Sequence, residues 1–324
     1  MMFVKTAEPA SCPHSSSTGD LREEMFTFAH LSDLHLCCPR EFSLADIITK
    51  RLYGFLSWKL HRSSEYAEQV LAALLEDIRV QQPDHVMVTG DLTHLSLPGE
   101  FLKAEHVLRC LGSGERVTVI PGNHDSYIAA AVGKAEKAWA SYMVSDNDES
   151  ASKVSFPTFR RRGPAAIIGL STARPCLPLL AYGTVGTAQL HRLAEYLEEA
   201  GRQQLFRVVL IHHPPVPGVV SWRKRLTDWQ AFGALLARQG AELVLHGHAH
   251  IPSSAFLEGV GQNIPVRGVP AASAIGRRPY RRAHYCLYGI TRKAEGWHIV
   301  CAVRRYSVEK QCFVGVDGWQ PLMS

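Results

Sequence analysis

Short apolar runs that end abruptly in polar clusters recur along the chain, and between them lie stretches whose apolar residues fall every three or four positions. The first pattern predicts buried strands and the second predicts helices packed on them. FTFAHLSD at 26–33 reads as a strand, YAEQVLAALLEDIRV at 66–80 as a helix ended before Pro83, and HVMVTGD at 85–91 as the next strand. Strand followed by loop repeats at VTVIPGNHD (117–125) and AAIIGLST (165–172), while AQLHRLAEYLEEAG (188–201) reads as a helix closed by Gly201. LFRVVLIHH and AELVLHGHAH add two strands, and from about residue 264 AHYCLYGIT and WHIVCAVRRYS read as hairpin strands. The expected architecture mixes α and β in one large domain, with no internal repeat and no low-complexity linker.

Composition narrows the class. With 324 residues, 46% of them apolar and 20% charged, the chain can bury a large core. No stretch approaches the roughly 18 to 20 apolar residues of a membrane-spanning helix. Residues 1–25 lack the apolar centre of a secretory signal and read as a polar, mobile tail, which favours a cytoplasmic location. Eight cysteines without paired spacing fit reduced thiols. The formal charge of +5 and the pI near 8.8 suit an anionic substrate or surface.

Candidate chemistry stands at the ends of the strands. Asp33-Leu34-His35 puts a carboxylate and an imidazole two apart, so that period-two geometry sends both to one side. Gly90-Asp91 lets the backbone turn tightly while the carboxylate projects past the sheet edge. Gly122-Asn123-His124-Asp125 crowds an amide, an imidazole and a carboxylate into one turn. His212-His213-Pro214-Pro215 stiffens a strand exit with prolines, and His246, His248 and His250 recur at spacing two, which packing alone explains poorly. All five clusters fall at carboxyl ends of strands, where ligands gather in open α/β sheets. Nitrogen and oxygen donors without a cysteine pair suit Mn, Fe or Zn and exclude an all-carboxylate calcium site, and more than four donors imply two divalent metal ions.

The order Asp-x-His, Gly-Asp, Gly-Asn-His-Asp, His-x-Pro, Gly-His-x-His resembles the calcineurin-like metallophosphoesterase superfamily, over about residues 26–305. The resemblance implies an α/β (α+β) fold, a two-sheet mixed β-sandwich flanked by helices in four αββα layers. It implies that Asp33, His35 and His250 hold one metal, that Asn123, His212 and His248 hold the other, that Asp91 bridges them and that His124 is the catalytic histidine. On the same ground His213 is a spacer and His246 stands outside the metal shell. The activity implied is hydrolysis of a phosphodiester or pyrophosphate bond by a hydroxide bridging two metals. Asp125 either orients its neighbours or caps the turn.

Outside the motifs, EFSLADIITKRLYGFLSWKLHR (41–62) carries Ile48, Leu52, Phe55, Leu56 and Leu60 at helical spacing, with Lys50, Arg51, Lys59 and Arg62 nearby. It reads as a helix on the sandwich or as an amphipathic lid touching an anionic lipid or the inner face of a membrane. In general plan this resembles the bacterial superfamily enzymes that cleave the pyrophosphate of UDP-diacylglucosamine. The expected partner is thus a phosphorylated small molecule or lipid, and no protein partner is implied. A cyclic-nucleotide phosphodiesterase would use the same metals with a short open pocket, a nuclease would need a long basic groove with stacking aromatics, and a non-catalytic binding module would lack ligands that are all present here. The basic runs 160–162 and 277–282 read as solvated hairpin decoration in preference to phosphate contacts, Cys37 and Cys38 as small core residues in preference to metal neighbours, and 306–324 as a C-terminal extension.

Overall fold

Where strands are buried on both faces, their apolar residues run without alternation, and the structure shows what each face meets. A computed structural model describes residues 25–43, 46, 49–57, 67–146, 154–276 and 278–322. The tail expected over 1–25 lies outside these except for Met25. The first sheet contains β1 (Phe26–Leu31), β2 (His85–Val88), β3 (Val117–Val119), β10 (His284–Lys293), β11 (Gly296–Ser307), β12 (Cys312–Gly315) and β13 (Gln320–Pro321). Its seven strands run in the order β12-β11-β10-β1-β2-β3, with β13 also on β11, and only β1, β2 and β3 are mutually parallel. The second, six-stranded sheet contains β4 (Thr158–Arg162), β5 (Ala165–Gly169), β6 (Phe206–Leu210), β7 (Leu243–His246), β8 (Ser253–Leu257) and β9 (Ile264–Gly268) in the order β4-β5-β6-β7-β9-β8. Its four central strands are parallel.

Successive residues of one strand enter different cores. Met87 of β2 packs between the sheets with Phe28, Ile120, Val208, Leu210 and Leu245, while its neighbours Val86 and Val88 face helices α2 (Glu68–Gln81) and α3 (Pro98–Leu111). In β6, Val208 and Leu210 face the other sheet, whereas Val209 faces α5 (Thr187–Arg202) and α6 (Trp229–Gln239) with Leu193, Leu197 and Phe232. Each such side chain, fully buried, contributes about 1.5–3 kcal/mol. The outcome is the helix-flanked two-sheet sandwich, layered αββα.

Three local expectations change. The helix at 188–201 does not close on Gly201: α5 runs to Arg202, and Gln203 caps it by donating its N–H to Glu199 and Gly201. Gly201 instead makes room for Arg207, whose Nη1 would lie 3.2 Å from an added Cβ. Arg160 is no solvated decoration. It is 2% exposed, and its guanidinium donates to the carbonyls of Val117 and Tyr142, both at 2.9 Å, and to that of Gly114. Finally, the boundary expected at 305 falls inside a strand, because β11 runs through 305 to Ser307, and the extension that follows adds β12 and β13 to it.

Of the 41–62 segment, residues 41–43, 46 and 49–57 are described, so Ile48, Lys59, Leu60 and Arg62 lie outside. Helix α1 (Arg51–Ser57) packs Phe55 against a small cluster of Leu95, Leu97 and Tyr127. Arg51 is buried and pairs with Asp46 at 2.7 Å, while donating to the carbonyls of Leu95 (2.8 Å) and Ser96. Among the described residues no helix is long and apolar enough to cross a membrane.

Candidate metal centre

The carboxyl ends of β1, β2 and β3 in one sheet and of β6 and β7 in the other converge, and every motif residue stands on the loop that follows its strand. Sharp turns are needed to aim side chains from so many strand ends into one volume. Asp33 (φ 57°), His35 (45°), Asp91 (55°), His248 (65°) and His250 (54°) all occupy the left-handed region, which non-glycine residues enter at a cost of order 1–3 kcal/mol each. The loops are sewn together to hold it. Asp33 N–H donates to Gly90 O at 2.9 Å and His35 N–H to Asp91 O at 3.0 Å. Glycine is required where the loops touch: at Gly122 a Cβ would collide with the Asp91 carboxylate.

Each aspartate divides its labour between two oxygens. Asp33 Oδ2 accepts the His248 N–H at 2.9 Å, and Asp91 Oδ1 accepts the His124 N–H at 2.7 Å. The other two oxygens, Asp33 Oδ1 and Asp91 Oδ2, are buried and meet no hydrogen-bond donor. Asp33 Oδ1 lies 3.1 Å from His250 Nε2 and 3.6 Å from His35 Nε2. Asp91 Oδ2 lies 3.3 Å from His212 Nε2 and 3.8 Å from His35 Nε2, which places it between two groups of donors. Those groups, Asp33-His35-Asp91-His250 and Asp91-His212-His248, each have ligand atoms within 4.8 Å of one another and could hold a metal ion. The Asn123 amide oxygen is 3.2 Å from His212 Nε2 and joins the second.

Charge and tautomer suit a cation. Burial pushes the Asp33 and Asp91 carboxyls up, but the facing imidazoles outweigh it, and both end well below the usual carboxylate range. His212 donates Nδ1–H to Thr89 O at 2.7 Å and turns Nε2 toward Asp91 and Asn123. Burial pushes this imidazole down, but Asp91 outweighs it and holds it up at about 9, so a cation taking Nε2 would displace its proton. His248 is held neutral by burial and by His213 and His212. Buried carboxylate oxygens without donors, facing imidazole nitrogens, are the form in which these groups ligate metals.

The remaining histidines differ. His213 has both nitrogens engaged, with Thr172 Oγ1 at 2.7 Å and Ala181 O at 3.1 Å, and burial lowers it to about 3. His246 likewise meets Gly247 O and Ser253 Oγ, both at 2.9 Å. Asp125 caps the backbone, accepting from Gly122 N and Thr93 N at 2.9 Å. Cys37 and Cys38 are half-buried and stand in neither group.

Beside the cluster rises a wall of which the motifs marked only His124. His124 donates Nδ1–H to the carbonyl of His94 at 2.6 Å, stacks on the His94 ring at 5.4 Å and on Tyr127 at 5.1 Å, and meets His35 edge-on at 4.7 Å. Lys50 Nζ lies 4.6 Å from the centre of the Tyr127 ring and donates to Leu180 O at 3.0 Å. The loop bearing His94 is fixed by Glu100, whose Oε2 accepts the N–H groups of His94 (3.2 Å), Leu95 (2.7 Å) and Leu97 (3.1 Å). His124 in its motif and Lys50 in the 41–62 segment were signalled by the sequence, and a histidine three residues after Asp91 could have been; Glu100 and Tyr127 had no signal.

Comparison with known proteins decides the family. The family model for calcineurin-like phosphoesterases matches residues 26–252. The chain belongs to that family. Its architecture is similar to that of a dimetal phosphatase from Danio rerio, at 13% identity and a TM-score of 0.58, over 91% of this chain and 99% of that one. It is also similar to a purple acid phosphatase from yellow lupin, at 11% identity and a TM-score of 0.54, over 88% of this chain and 52% of that one, so the chain spans about half the lupin protein. No curated protein matched. The family is one of phosphoesterases that use a dinuclear metal centre, and both donor groups of this chain are able to bind metal.

Proposed function

We propose that the protein hydrolyses a phosphodiester or pyrophosphate bond with two divalent cations, Mn, Fe or Zn. The observation that carries this is Asp91 Oδ2, buried without a donor between His35 and His212 and therefore shared by both donor groups. Asp33, His35 and His250 would hold one cation, Asn123, His212 and His248 the other, and Asp91 both. When bound, such a pair lowers the pKa of water and offsets charge on phosphoryl oxygens.

The chain's own groups do the rest. With Nδ1–H fixed on His94 O, His124 has only Nε2 left to carry a proton to the leaving oxygen. Tyr127 and His94, stacked on it, keep the ring from turning. Lys50, held over Tyr127, adds a positive charge outside the metal shell where a second phosphoryl group or a diester's far oxygen would lie. The reading is tested by stripping metal and adding Mn²⁺ back, then following bis(p-nitrophenyl) phosphate, p-nitrophenyl phosphate and UDP-diacylglucosamine. Restored turnover supports it, and the preferred substrate sorts diester from pyrophosphate; inert protein with every metal would leave a binding module on the same fold.

A further inference from the structure

Two loops tied to the metal cluster expose side chains that a protein in water gains nothing by exposing. Leu177 and Leu179 are 73% and 76% exposed and Trp222 is 63% exposed. Leu179 is also held at φ 68°, in the left-handed region that favours glycine, so the backbone is strained to keep a leucine in solvent. The loops are zipped to each other, Ala181 N–H donating to Arg223 O at 2.9 Å and Gly183 N–H to Arg225 O at 3.1 Å. Each also touches the site. His248 Nε2 meets Lys224 O at 3.0 Å, His213 Nε2 meets Ala181 O at 3.1 Å, and Lys50 reaches Leu180 O at 3.0 Å.

Their charge has one sign. Residues 171–186 and 212–227 contain no aspartate or glutamate, and they contribute exposed Arg174, Arg223 and Arg225. We propose that this rim docks the protein on an anionic lipid bilayer, with the leucines and Trp222 entering the boundary of the acyl chains and the arginines meeting headgroup phosphates. Apolar tips among cations are what interfacial binding requires, since burial and attraction to anionic lipid add. A second copy of the chain fits poorly, because a face meeting its own twin would set arginines against arginines. A nucleic acid fits less well, because two of the three exposed tips are leucines, which offer no π face, and Trp222 alone could stack on a base. Docked this way, the metal cluster would lie close to the headgroups, so the favoured substrates would be phosphates borne on lipids; that last step rests on the phosphoesterase reading.

The experiment is sedimentation of the full chain with vesicles of phosphatidylcholine alone and with about a third phosphatidylglycerol. Binding is expected only to the anionic vesicles and is expected to weaken as salt rises. Arg223→Gln and Arg225→Gln are each expected to weaken it about fivefold. The double variant Leu177→Ser, Leu179→Ser is expected to weaken it more than tenfold, while turnover of soluble bis(p-nitrophenyl) phosphate stays unchanged. Vesicle binding is read without turnover, so loss of the phosphoesterase reading would leave this result legible, and the reverse. The proposal is overturned if wild type ignores anionic vesicles, if the leucine substitutions leave binding intact, if the rim instead retains polyuridylate, or if the chain is a dimer that the serines dissociate.

Discussion

Around the metal cluster, the inward-facing side chains stand directly on strand ends, whereas the wall beside His124 is assembled from segments far apart in sequence. Asp33, Asp91 and His212 each follow a strand within a few residues, and at Asp33 and Asp91 a left-handed turn adds to the direction the strand sets. Lys50, His94 and Tyr127 instead meet because Glu100 gathers backbone N–H groups, Arg51 grips two carbonyls, and rings stack. The first construction is local and fixes where cations would sit. The second is long-range and fixes how a proton and a charge are presented to them.

The sharpest way to break the floor is Asp91→Ala. It removes the only carboxylate common to both donor groups, so turnover is expected to fall on the order of 10³-fold or more, and bound metal per chain, measured by elemental analysis, to fall from two toward none. Loss of turnover with two metals retained would show that Asp91 is not the shared ligand. His124→Ala addresses the wall and is expected to lower kcat by about 10² to 10⁴-fold with metal content unchanged. The loss should be larger for an alkyl leaving group than for p-nitrophenolate, which departs without a proton. Equal losses on both would remove His124 from the proton-transfer role.

Glu100 separates stability from chemistry. Its carboxyl is pushed up to about 7 by burial, against the hydrogen bonds it accepts. A folded-state pKa raised above the unfolded one contributes stability that is fully present below the unfolded value, near 4.5, and lost as pH rises through about 7. Glu100→Gln retains an acceptor oxygen and never ionises. Relative to the variant, wild type should therefore lose about 3 kcal/mol of stability between those limits, read from denaturant midpoints across pH. A difference that does not vary with pH would mean that Glu100 is not forced to ionise inside the fold.

The same contrast explains what could be read from the sequence. The strands were legible because burial on both faces leaves unbroken apolar runs such as Val208-Val209-Leu210, and the floor was legible because each ligand is a few residues from such a run. His213 and His212 are adjacent and equally buried, yet one has Thr172 and Ala181 on its nitrogens while the other faces Asp91; composition cannot separate them, and only the family pattern did. Arg160 misled for the opposite reason: three consecutive arginines look like a solvated patch, but strand alternation turns the first inward onto three carbonyls. Glu100 and Tyr127 carry no local signature, since each acquires its role from a loop folded against it.

The smallest expected effect belongs to Lys50→Met, and it probes how the wall differs from a mere lid. Methionine keeps the apolar stem over Tyr127 and removes the charge. If Lys50 only pins the segment before α1 to Leu180, the change should alter stability and leave both kinetic constants alone. If it meets a phosphoryl oxygen, KM should rise about tenfold while kcat and metal content hold, the loss of one charge-assisted hydrogen bond. Inorganic phosphate should weaken as an inhibitor by a similar factor, and Lys50→Arg should recover most of the affinity. Burial lowers the Lys50 ammonium from its ordinary value, so a cation is kept there at some cost, and an anion arriving from solution is the partner that would relieve it.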